Sequence, residues 1–161
     1  MSPLVRTTHD PAVTLVRLTV ALVLFPHGAQ HVLGWFGGYG FRGTLGWMTG
    51  TLGFPAALAV VALLTEIAAP VALLLGLAGR LAGLGVIGLM LGALSTHVAN
   101  GFFMNWFGAL PAGSEGFEYH ILMIALAAVV VLRGSGAWSV DGRLGAKAGP
   151  AAPPRPLRAA A

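Results

Sequence analysis

The chain has 161 residues, of which 57% are hydrophobic and only 9% charged, with a formal net charge of +4 and no cysteine. Soluble proteins carry about 25% charged residues, so this composition excludes disorder and points to a single membrane domain. The absence of cysteine excludes structural disulfides, thiolate metal sites and thiol–disulfide exchange carried by the chain itself.

The first eleven residues are polar and read as a cytoplasmic N-terminal segment. Four apolar stretches follow, with spans expected at about 12–33, 55–77, 81–99 and 117–132. The first has neither a compact basic leader nor an A-x-A site after it, so it reads as a span rather than a cleaved signal. The fourth reaches only about 24 Å by helix rise, short of a hydrocarbon core of about 30 Å. Gly85, Gly88, Gly92 and Thr96 form a small-residue stripe on the third span, a pattern that suits close helix approach. Residues 146–161, rich in Ala, Pro and basic residues, read as a disordered tail.

Arg6, Arg17, Arg80, Arg133, Arg143, Lys147, Arg155 and Arg158 fall on one side of this topology, and only Arg42 on the other. The bias places both termini in the cytoplasm. It also reads as a topology signal and not as a nucleic-acid patch, so no nucleic-acid partner is expected. All the aromatic residues except Phe25 and Trp138 lie at or near the opposite, outer side. The expected fold is therefore all-α, an integral membrane four-helix bundle over residues 12–145, in contact with the lipid bilayer.

A few residues are out of place in these apolar runs. A charged side chain at mid-membrane costs about 2.5–3.5 kcal/mol on insertion scales, so such residues usually face the bundle interior. At 100° per residue, Arg17, His27 and His31 share one face of the first span, and Gln30 lies 60° to the other side. Glu66 sits near the middle of the second span. Pro70, four residues on, lacks an N–H and so frees the Glu66 carbonyl. These five are the polar-interior or ligand candidates. His97, Glu118 and His120 are candidates at the outer face. His27, His31, His97 and His120 are weak candidates for a metal, or for haem held between helices. There is no phosphate loop, dinucleotide fingerprint or nucleophile elbow.

Several motifs occur in a recognisable order. They are L-V-R-L at Leu15–Leu18, H-G-A-Q-H at His27–His31 and G-W-F-G-G at Gly34–Gly38. A lone glutamate follows in T-E-I-A-A-P-V-A-L-L-L-G-L at Thr65–Leu77, then E-G-F-E-Y-H at Glu115–His120 and W-S-V-D at Trp138–Asp141. Over about Leu15–Leu144 the chain resembles the DoxX family of small four-span bacterial membrane proteins. The resemblance implies a four-helix membrane bundle in the bacterial cytoplasmic (inner) membrane. Some members are linked to redox systems, including a subunit of a thiosulfate:quinone oxidoreductase and a partner in a thiol-oxidant defence complex. The motif arginine and glutamate map to Arg17 and Glu66. Many members carry a lysine where this chain has His31.

Together these features lead us to expect a membrane component of a redox or oxidative/sulfur-stress system, at most a subunit of a quinone-linked oxidoreductase. A quinone or another small hydrophobic ligand would lie inside the bundle. The alternatives are a non-catalytic scaffold for a redox-enzyme partner, and a small-solute or proton transporter, which would require a homo-oligomer.

Overall fold

The computed structural model describes residues 6–111 and 113–147. Among these the chain is entirely helical, in agreement with the all-α expectation. The long helices are α1 (Pro11–Gly28), α3 (Ala56–Leu75), α4 (Gly79–His97) and α5 (Glu118–Arg133). Two shorter ones, α2 (Gly40–Gly50) and α6 (Val140–Lys147), lie in connections that sequence reading leaves without helix. Glycine at positions 40, 43, 46 and 50 lowers the helix propensity of α2, by up to about 1 kcal/mol per residue, which hides it from pattern reading. Apart from Ala146 and Lys147, which end α6, the expected tail lies outside the described residues.

Among the described residues three helical segments are long and apolar enough to cross a membrane: Pro11–Leu33, Ala56–Leu75 and Gly79–Asn100. The first begins cleanly because Pro11 occupies the first helical position and the Asp10 side chain accepts from Ala12 N at 2.8 Å. Its buried face, Val13, Arg17, Val20, Ala21, Leu24 and Gly28, repeats at three and four residues. After Pro26 the helix widens into a π turn over Ala29–Leu33. Each long helix packs on two others: α1 against α3 and α5, and α4 against α3 and α5. The core between them is made of Val20, Leu24, Leu73, Val86, Met90, Met123 and Val130, among others.

Two close approaches fix the spacing. A Cβ on Gly28 would run into the backbone of Glu66, so α1 and α3 meet backbone to backbone where Pro70 frees a carbonyl. On α4 the close contact is at Gly83, where a Cβ would lie 3.1 Å from Ala127 O and against Val131 of α5. The stripe of Gly85, Gly88, Gly92 and Thr96 behaves differently from its sequence reading. Gly85 lies against Thr65 of α3, but a Cβ on Gly88 or Gly92 would meet nothing within 4 Å. Small residues look the same in sequence whether they face a neighbouring helix or a gap.

One end of the bundle is basic and tightly bonded. Arg17, only 2% exposed, donates Nε to Ser135 O at 2.7 Å. Its other nitrogens donate to the carbonyls of Leu73, Leu74 at 2.9 Å and Trp138 at 3.1 Å. Asp141, 1% exposed, accepts from Ala78 N, Gly79 N and Ser135 Oγ at 2.9, 3.0 and 2.6 Å. Ser135 thus bridges the two buried charges, its carbonyl to Arg17 and its hydroxyl to Asp141. This network also holds Ala78 and Trp138 at φ +48°, a backbone region that L-residues rarely adopt. The N-terminal segment is tied to the same end through Thr8 N to Arg133 O at 3.1 Å and Arg80 Nε to Arg6 O at 3.1 Å.

Candidate functional site

At the opposite, aromatic end the helices part around a cavity of about 670 Å³. This lies within the range of about 300–1,000 Å³ usual for small-molecule sites. Apolar side chains of α1, α3 and α4 form most of its wall, and Trp47 and Met48 of α2 and Phe54 close part of it. The placement of α2 follows from the π turn: the wider turn presents the His31 carbonyl, which accepts from Thr44 Oγ1 at 3.0 Å.

Five of the residues singled out from sequence reach the cavity: His27, His31, Glu66, His97 and His120. His31 and Glu66 form an ion-pair geometry, with Nδ1 3.0 Å from both carboxylate oxygens. A carboxylate only accepts, so Nδ1 carries the hydrogen and Nε2 is left for another partner. The pair is half-buried, its side chains 36% and 17% exposed. Farther along the wall the rings of His97 and His120 lie 4.8 Å apart. His97 Nδ1 donates to Ala93 O at 2.8 Å, which leaves its Nε2 for another partner. His120 is 6% exposed, and its Nδ1 has no hydrogen-bond partner.

Tyr119 was not among the expected site residues, yet it carries the second orphaned group. Its hydroxyl is buried without a partner, and its ring lies 6.2 Å from that of His27 and 5.7 Å from that of His120. A tyrosine near a membrane surface reads as an anchor in sequence, so only the orphaned hydroxyl reveals the difference.

The other candidates stand elsewhere. Arg17 is polar-interior, but it belongs to the basic end and pairs with carbonyls there, neither lining the cavity nor meeting Glu66. Gln30 packs against Gly38 and is off the cavity wall. Glu118 accepts from Met104 N at 3.2 Å and from Trp106 Nε1, so it holds the loop after α4 in place. The four histidines do not gather: among the described residues no three His, Cys, Asp or Glu side chains are placed to hold a metal ion. Two glutamates, Glu66 and Glu115, four histidines and Tyr119 therefore line a mostly apolar chamber.

The fold and the site together define an all-helical membrane protein with a ligand-sized chamber between its helices. The DoxX family profile matches residues 12–106, more than half of the chain, and the chain belongs to that family. The match runs from α1 into the loop after α4, so the E-G-F-E-Y-H and W-S-V-D motifs lie beyond it. No curated protein and no solved structure matches the chain.

Proposed function

We propose that this protein is a four-span component of the bacterial cytoplasmic membrane that holds a quinone, or a similar carbonyl-bearing hydrophobic ring, for a redox or oxidative/sulfur-stress system. α5 supplies the fourth span, and the basic end, with both termini, faces the cytoplasm, in keeping with the distribution of basic residues. The observation that carries the reading is a pair of orphaned groups, Tyr119 Oη and His120 Nδ1, on two residues that line a mostly apolar cavity. A buried polar atom without a partner costs about 1–3 kcal/mol, and a ring carbonyl or hydroxyl placed there removes that cost. The Glu66–His31 pair adds a group able to exchange a proton with the ring. Reduction of a quinone to a quinol takes two electrons and two protons. The chain has no cysteine to supply the electrons, so they come from a partner enzyme, and the protein acts as its membrane subunit.

The hydrogen-bonded knot at the basic end closes that side, so the chamber is a pocket and not a path, which favours ligand holding over solute transport. The test is titration of the protein in lipid nanodiscs with a benzoquinone, read by quenching of Trp47 with Trp47→Phe as control. Saturable quenching is expected, and Tyr119→Phe should weaken it about 5–100-fold, the equivalent of one hydrogen bond. Absence of saturable binding to the folded wild-type protein would rule the reading out.

A further inference from the structure

We infer that the cavity is filled sideways from the bilayer, through a gap between α3 and α4, and that its ligand is a tailed, membrane-dissolved molecule whose chain stays in that gap. The inference rests on the ligand-binding reading above and adds the route of entry and the class of molecule. The two helices touch at mid-length, where a Cβ on Gly85 would lie 2.8 Å from Thr65 Cγ2. One and two turns farther toward the aromatic end, Gly88 and Gly92 face open space. The helices therefore part from the Thr65–Gly85 contact onward.

The gap connects the chamber with the outside. Leu58 and Val61 of α3 are 53% and 59% exposed and yet line the cavity, as does the exposed Gly88 of α4. Gly88 lies nine residues into α4, about 14 Å along its axis, which is near the middle of a hydrocarbon core about 30 Å thick. Lipid chains, not water, stand at that depth. Tyr119 and His120, which also line the chamber, each carry a buried polar atom without a partner, the hydroxyl and Nδ1. A saturated acyl chain would fill the gap but leave both polar atoms unpaired. A polar ring without a tail would pair them but leave the gap open. A ring with a long apolar chain satisfies both.

The test uses Gly88→Leu/Gly92→Leu in nanodiscs. Leucine is a better helix former than glycine, and its Cβ meets nothing within 4 Å at either position, so the protein should fold while the gap is filled. The probes are a benzoquinone carrying a long isoprenoid chain and the same ring carrying only a methyl group, compared at equal concentration in the membrane. The wild-type protein should bind the tailed probe at least about tenfold more tightly than the tailless one, and the double variant should lose most of that preference. Equal binding of the two probes, unchanged in the variant, would overturn the lateral route while leaving the ring site standing. Failure of both probes on the wild-type protein would overturn both readings. A loss of dimers in the variant, seen by native mass spectrometry without any change in probe preference, would assign the gap to a second copy of the chain and overturn the proposal.

Discussion

Replacing Gly28 with alanine tests the feature on which the site depends, the backbone contact between α1 and α3. Gly28 has φ −60° and ψ −39°, so alanine suits its backbone, and any effect comes from the added methyl group. That Cβ would lie 2.8 Å from Glu66 C, against 3.4 Å for ordinary contact, and nearer still to the Glu66 oxygen. Both sides of the clash are main chain, so the helices must open by at least about 0.6 Å. Overpacking of this kind costs about 1–3 kcal/mol, and the rigid partner places it at the upper end. The helix propensity of alanine returns about 1 kcal/mol. The net loss is about 2 kcal/mol, a fall in unfolding temperature of about 4–8 °C for a chain of this length. Glu66 moves with its helix, so quinone affinity should fall as well. Gly46→Ala on α2, where a Cβ meets nothing within 4 Å, is the control and should leave the unfolding temperature unchanged or raise it. Thermal unfolding in detergent, followed by circular dichroism, reads both. A Gly28→Ala protein as stable as wild type, with unchanged binding, would refute the close approach.

His120→Phe should raise stability by about 1–2 kcal/mol in the ligand-free protein, because it removes an unpaired buried nitrogen, while quinone binding weakens about tenfold. A variant less stable than wild type would mean that the imidazole has a structural partner. Arg17→Lys should cost about 3 kcal/mol or more in chemical unfolding, since a single ammonium cannot reach the carbonyls of Leu73, Ser135 and Trp138 together. A loss under about 1 kcal/mol would show that the arginine network is not what closes the basic end. Glu118→Ala should release the loop that contains Trp106, seen as a red shift in its emission and faster amide exchange at Met104, with quinone affinity unchanged. Weakened binding in that variant would place Glu118 at the site after all.

Three long apolar helices were legible because unbroken apolar runs admit few other structures, and Glu66 and His31 were legible because their cost in such runs stands out. Their pairing was not, since a contact across 35 residues depends on how α1 and α3 pack. The polarity of Arg17 was visible from the first helix alone, but its partners are main-chain carbonyls, which every residue has and no sequence displays. Pro70 announced a freed carbonyl at Glu66; that Gly28 of another helix would settle against it required the fold. The glycines of α4 illustrate the converse. Their spacing marks a smooth face, and only the structure tells that Gly83 meets α5 while Gly88 and Gly92 border a space.

The bonding of Arg17 also bears on how the chain is made. The arginine lies on α1, yet three of its five acceptors, the carbonyls of Ser135, Ala137 and Trp138, follow the last long helix. During synthesis the Arg17 charge lacks those partners until residues 135–138 are made, and an unpaired charge on an apolar helix is unfavourable. Nascent chains cut short of Ser135 should therefore hold their first helix loosely and expose it to quality-control proteases. Arrival of residues 135–138 joins α1 to the segment after α5 in one late event, so the two ends of the described bundle are fixed by the same arginine.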